Sequence, residues 1–182
     1  MNTANQGLRG SALSALLVAL FPVGSPIAFA AAPARMPNFD LEALEGTRAS
    51  QKLLEGKVAL IDFWATWCEP CLREIPHWNE LHVRYRDRGF VVLGVTLQSG
   101  SAHEIKLSAE KLNIRYRVVV GDQEMVQAFG GIVGFPATFL VDRSGRIHKK
   151  YLGQSPLKHI QIERDIQELL REKPSESKVR AR

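Results

Sequence analysis

The chain has 182 residues, 45% of them hydrophobic and 24% charged, with a formal net charge of +5. That length and balance suit one soluble globular domain with a sizeable core. The basic excess is dispersed, and its two clusters, around Arg84, Arg86 and Arg88 and around Lys178, Arg180 and Arg182, read as a helix end and a frayed tail, which argues against a nucleic-acid-binding face.

Residues 1–30 read as a secretory signal peptide. Arg9 is the one charged side chain before an apolar run over 11–21; Pro22, Gly24 and Pro26 then break that run, and Ala28 and Ala30 offer the small residues a signal peptidase reads. An uncleaved membrane anchor is the alternative, but a run of about eleven apolar residues is short against the roughly twenty a span requires. No Cys follows the run, so no lipoprotein anchor is expected.

Residues 31–35 read as a leader, followed by a single domain over 36–172 and a polar tail over 173–182 expected to be disordered. Residues 36–46 alternate around Phe39, Leu41 and Leu44 and turn at Gly46, as an edge strand or hairpin does. Residues 58–64 form a nearly continuous apolar run, the pattern of a central strand covered on both faces.

A helix is predicted over 70–88, with Leu72, Ile75, Trp78, Leu81 and Tyr85 on one stripe and Gly89 as its stop. A second buried strand over 90–97 follows, then a helix over 102–112, a strand over 116–120, and a helix over 122–129 capped by Asp122. A hairpin with strands at 137–141 and 146–152 and a last helix, opening at Ser155 or Pro156 and running to about 171, complete an α/β domain with a mixed sheet.

The chain holds only two cysteines, Cys68 and Cys71. A structural disulfide framework needs more, and a zinc site normally needs a second ligand pair. A C-x-x-C at a strand-to-helix junction is instead a redox signature. Cys68 falls at the helix N-terminus, where unpaired backbone N–H groups and the dipole favour a thiolate. Pro70 has no N–H to waste in the first turn, and Cys71 lies where it can close a small disulfide ring with Cys68.

The run LIDFWATWCEPC over 60–71 resembles the active-site strand and motif of the thioredoxin family. Pro76 resembles that family's helix-kinking proline, and GFPATF over 134–139 resembles the loop whose cis proline faces the cysteines, which carries that role to Pro136. MPNFDL over 36–41, DRSGRI over 142–147 and the helix–strand insertion over 102–120 resemble the exported TlpA/ResA/DsbE branch. The resemblance implies a thioredoxin-like fold with an N-terminal hairpin extension. It also implies a protein-disulfide oxidoreductase that carries electrons on Cys68 and Cys71 and needs no other cofactor.

Chemistry and resemblance together make Cys68 the attacking thiolate and Cys71 the resolving one. Two acids are candidates to take the Cys71 proton: Glu74, at i+3 on the helix, which matches the glutamate of ResA-like chains, and Asp62, which matches the buried aspartate of thioredoxin where TlpA-like chains often carry asparagine. Trp67 and Phe135, with Pro136, are the expected contacts for substrate. Trp64 also flanks the site, with plain core packing nearly as good a reading for it.

Glu69 sets a negative charge between the cysteines, which opposes the thiolate and makes the couple more reducing; Pro70 shares in this tuning. A reductant is therefore expected, drawing electrons from a membrane thiol donor of the DsbD/CcdA type, as the resemblance implies, and acting on apocytochrome c or copper-site proteins outside the cytoplasm. The competing reading is a copper chaperone using the same cysteines, with Met125 or a histidine added. A peroxidase is not expected, because its Pro-x-x-x-Thr-x-x-Cys pattern is missing. The five histidines show no ligand spacing and are expected at the surface.

Overall fold

The computed structural model describes residues 35–172. The expected signal peptide, the leader up to residue 34 and the tail over 173–182 lie outside the described residues. Arg35, read as leader, is already engaged: it bridges to Arg146, and its guanidinium donates to the Ser144 carbonyl at 3.1 Å.

A short antiparallel hairpin comes first, β1 (Asp40–Glu42) with β2 (Arg48–Ser50). The main sheet follows in the spatial order β5-β4-β3-β6-β7, formed by β3 (Val58–Trp64), β4 (Phe90–Thr96), β5 (Arg117–Val120), β6 (Ala137–Val141) and β7 (Ile147–Leu152). β3, β4 and β5 run parallel, and β6 and β7 join antiparallel. Parallel neighbours need crossover helices. α1 (Glu69–Tyr85) joins β3 to β4, and α2 (Ala102–Lys111) joins β4 to β5. α3 (Gln123–Ala128) precedes β6, and α4 (Lys158–Arg171) is the last of the described elements. The last helix opens later than residues 155–156, because the Lys158 N–H first closes a turn onto the Ser155 carbonyl at 3.1 Å.

Side chains alternate across the sheet, and the two faces carry separate cores. Leu60 and Trp64 face a cluster that holds Ile75, Trp78 and Leu81 of α1 and Ile162, Ile166 and Leu169 of α4. Ala59, Ile61 and Phe63 face the other way, onto Leu41 and Ala49 of the hairpin and Met125 of α3. All seven residues of β3 are buried, which explains its unbroken apolar pattern. Asp62 is the exception in chemistry, and by parity it points to the face that α1 and α4 cover.

Gly94 of β4 pairs with Asp62 across the sheet and has to be small. A Cβ there would meet the Trp64 indole nitrogen at 3.1 Å and the Tyr116 ring at 3.2 Å. Ser101 and Glu104 form a capping box at the start of α2, and Asp122 caps α3 through the Met125 N–H at 2.7 Å. Among the described residues no helix is long and apolar enough to cross a membrane.

Candidate active site

β3 ends at Trp64, and the chain passes through Ala65, Thr66 and Trp67 into α1. Two contacts hold this passage against the loop after β4. The Thr66 N–H donates to Ser99 Oγ at 2.9 Å, and the Trp67 indole N–H donates to the Gln98 carbonyl at 2.8 Å. Gln98 takes φ +50, a conformation few non-glycine residues adopt, and this left-handed turn carries the carbonyl that meets Trp67.

Cys68 is the N-cap of α1, joined to Cys71 in a disulfide, and its Sγ accepts from the Cys71 N–H at 3.3 Å. Both sulfurs are buried. When the pair is reduced, that same N–H and the helix dipole favour negative charge on Cys68. Pro70 sits in the first turn, and Pro76 lies within the helix. Glu69 is ion-paired with Arg73 at 3.2 Å, both at the surface, so the cation offsets part of its effect on Cys68.

Phe135-Pro136 is cis, and the Pro136 carbonyl accepts from the Gly153 N–H at 2.9 Å. Trp67 is 60% exposed and packs edge-to-face on Phe135 at 5.6 Å, while Trp64 is fully buried. Beside Cys68 opens a groove of about 900 Å³, lined by Trp67, Leu97, Val126, Ile132, Val133 and Phe135 among others. Val133, 96% exposed, stands at its edge. The groove accordingly presents apolar surface next to a sulfur.

Both acids singled out in the sequence lie off the surface. Asp62 is fully buried; its Oδ1 accepts from the Thr138 hydroxyl at 2.9 Å, and its Oδ2 has no partner among the described residues. Burial, reinforced by the charge of Glu74, pushes its carboxyl up to about 7. Glu74 is mostly buried and ion-paired with Lys158 of α4 at 3.0 Å. Burial raises its carboxyl too, and Lys158 restrains the rise.

Lys158 is the residue the sequence reading missed, although it stands four before Ile162 on the buried stripe of α4, an unusual place for a lysine. Tyr116 was missed as well. Its buried hydroxyl has no partner among the described residues, and burial, with the charges of Asp62 and Glu74, raises the phenol.

The histidines are not all plain surface groups. His77 of α1 and His159 of α4 stack at 4.4 Å, and His82 is half-buried, with burial lowering its imidazole. Met125 is buried in the core on the opposite face of the sheet from the cluster that holds the cysteines. Among the described residues no three His, Cys, Asp or Glu side chains gather so as to hold a metal ion.

Comparison with known proteins agrees with this geometry. The Redoxin family model matches residues 31–170. The thiol-disulfide oxidoreductase ResA of Geobacillus thermodenitrificans is 34% identical over 117 residues, covering 64% of this chain and 67% of that protein. The thioredoxin-like protein YneN of Bacillus subtilis is 28% identical over 131 residues, covering 71% and 76%. The solved structure of a thiol:disulfide interchange protein of the thioredoxin family from Chlorobium tepidum superposes with a TM-score of 0.68 at 29% identity, covering 76% of this chain and 97% of that one.

Proposed function

We propose that this chain, which belongs to the Redoxin family and is a thioredoxin-like thiol–disulfide oxidoreductase of the TlpA/ResA/DsbE type, reduces disulfides in exported proteins outside the cytoplasm. The observation that carries the reading is Cys68 at the cap of α1, with Cys71 directly behind it and an apolar groove alongside.

In the proposed cycle the reduced enzyme presents Cys68 as thiolate. That sulfur attacks a partner disulfide, forming a Cys68–partner bond and releasing the partner's other thiolate. Cys71 gives up its proton and attacks Cys68. The enzyme disulfide forms, and the partner leaves with both sulfurs reduced, carrying the two electrons. Trp67, Phe135 and Val133 supply the surface on which an extended partner segment lies. Pro136 shapes that loop.

The reducing direction is supported by Glu69, the sole charge between the two cysteines, and by the absence of any cation there. Electrons would come from a membrane thiol donor of the DsbD/CcdA type, and apocytochrome c or copper-site proteins are the proposed substrates. Residues 1–30 would deliver the chain as a cleaved signal peptide, which N-terminal sequencing of the mature protein tests directly.

Trapping tests the cycle. Cys71→Ala, reduced and mixed with a disulfide-bearing protein, is expected to accumulate a mixed disulfide through Cys68. No adduct with Cys71→Ala, or an equal adduct with Cys68→Ala, would show the roles to be wrong. For direction, equilibration against glutathione is expected to give a potential near that of thioredoxin, about −270 mV, and a value near that of DsbA, about −120 mV, would reverse the proposal.

A further inference from the structure

Three ionisable side chains from three elements meet under α1: Asp62 of β3, Glu74 of α1 and Lys158 of α4. Lys158 is 3% exposed, and its ammonium has two acceptors, Glu74 Oε2 at 3.0 Å and the Gly153 carbonyl at 3.2 Å. It also lies 6.0 Å from the centre of the Trp78 ring. Among the described residues Asp62 has only neutral partners, the Thr138 hydroxyl at 2.9 Å and the Trp78 indole beside it. With all three groups charged, the cluster would hold two anions and one cation, with Asp62 fully buried and Glu74 and Lys158 largely so. A surplus buried charge is costly, and one proton removes it. The carboxylate in contact with the ammonium has least need of that proton.

We infer that Lys158 is a positioning residue: by pairing with Glu74 it keeps that carboxylate ionised and directs the cluster's one exchangeable proton onto Asp62. The inference rests on the proposed exchange cycle in one respect, that Cys71 has a proton to give. When it does, and Asp62 has itself released its proton, as a carboxyl pushed up to about 7 does near neutral pH, the proton passes from the Cys71 thiol to the ionised Asp62 carboxylate. Cys71 becomes a thiolate, Asp62 becomes neutral, and the charge of the site as a whole is unchanged. Glu74, nearer in sequence to Cys71, stays an anion throughout.

The surroundings agree with this division of labour. Glu74's charge is felt at Asp62 and raises its affinity for a proton, while Lys158 works against that rise. The other titratable group facing the cluster from within is the Tyr116 phenol, held neutral by burial. From outside, Arg73, His77 and His159 share a surface groove with Glu74 and Lys158. The nearby carboxylate Asp165 is occupied by Lys149 and the Tyr151 hydroxyl, at 2.7 and 2.6 Å.

The test is carboxyl-carbon NMR titration of Asp- and Glu-labelled protein in the oxidised state, where no thiol titrates. In the wild-type chain Glu74 should ionise at lower pH than Asp62. Lys158→Met should raise the Glu74 midpoint by about one pH unit or more, a tenfold change in proton affinity or greater. Lys158→Arg should keep the wild-type order, and Glu74→Gln should lower the Asp62 midpoint, since an anion is lost and Lys158 is freed.

Asp62 ionising before Glu74 in the wild-type protein would overturn the inference, and that reading needs no variant to fold. So would a Glu74 midpoint unmoved in Lys158→Met. Because these titrations involve no exchange, a failed Cys71→Ala trap with the order intact would count against the cycle alone, and a reversed order with trapping intact would count against Lys158 alone.

Discussion

Replacing Asp62 by Asn should make the protein more stable, and increasingly so as pH rises. The carboxyl binds its proton more tightly in the folded chain, up to about 7, than at its ordinary 3.8 in the unfolded chain. Below 3.8 both states are protonated and the group contributes nothing to pH dependence. Between 3.8 and about 7 the unfolded state has released the proton and the folded state has not, so folding stability falls as pH rises, and above about 7 the loss is complete. The gap between about 7 and 3.8, at about 1.4 kcal/mol per pH unit, sets a ceiling of about 4 kcal/mol on that loss. Asn keeps an acceptor for the Thr138 hydroxyl and has no proton to lose. Guanidinium unfolding of oxidised wild type and Asp62→Asn at pH 4, 5.5 and 8 should show near-equal stability at pH 4 and a variant ahead by up to about 4 kcal/mol at pH 8. A difference independent of pH, or one that shrinks as pH rises, would refute the reasoning. The same variant should release trapped partner more slowly, so that stability is gained where function is lost.

Trp67→Ala, with its fold checked by thermal melting, should raise KM for a disulfide-bearing test protein by roughly tenfold, the effect of removing one aromatic anchor. Glu69→Gln should make the couple less reducing, by less than about 30 mV because Arg73 already offsets part of the charge; equilibration with glutathione reads the shift. Gly94→Val should cost about 1–3 kcal/mol in chemical unfolding, since Trp64 and Tyr116 leave no room for a side chain. Ser101→Ala should cost about 1 kcal/mol in the same assay by removing the cap of α2.

The sheet was legible because its central strands are covered on both faces, so β3, β4 and β6 read as apolar runs with nothing to confuse them. The redox pair was legible because its chemistry is local, a helix cap and its i+3 neighbour. β2 was not: of Arg48, Ala49 and Ser50 only Ala49 is buried, too short a pattern to stand out. The environment of Asp62 was hidden for another reason. Thr138, Glu74 and Lys158 lie 76, 12 and 96 positions from it and meet it only through sheet register and helix packing. Lys158 did leave a trace, as a cation on the apolar stripe of α4. The contrast between Trp64 and Trp67 follows from place: one ends a buried strand, and the other follows it into the loop, held at the surface by the Gln98 carbonyl.

The exchange begins only if Cys68 carries a negative charge, and ultraviolet absorbance of the reduced protein as a function of pH measures that charge, with Cys68→Ala and Cys71→Ala separating the two contributions. Thiolate absorbance is expected at neutral pH, vanishing in Cys68→Ala and persisting in Cys71→Ala. A Cys68 that stays protonated and unreactive into the alkaline range would contradict the proposed cycle.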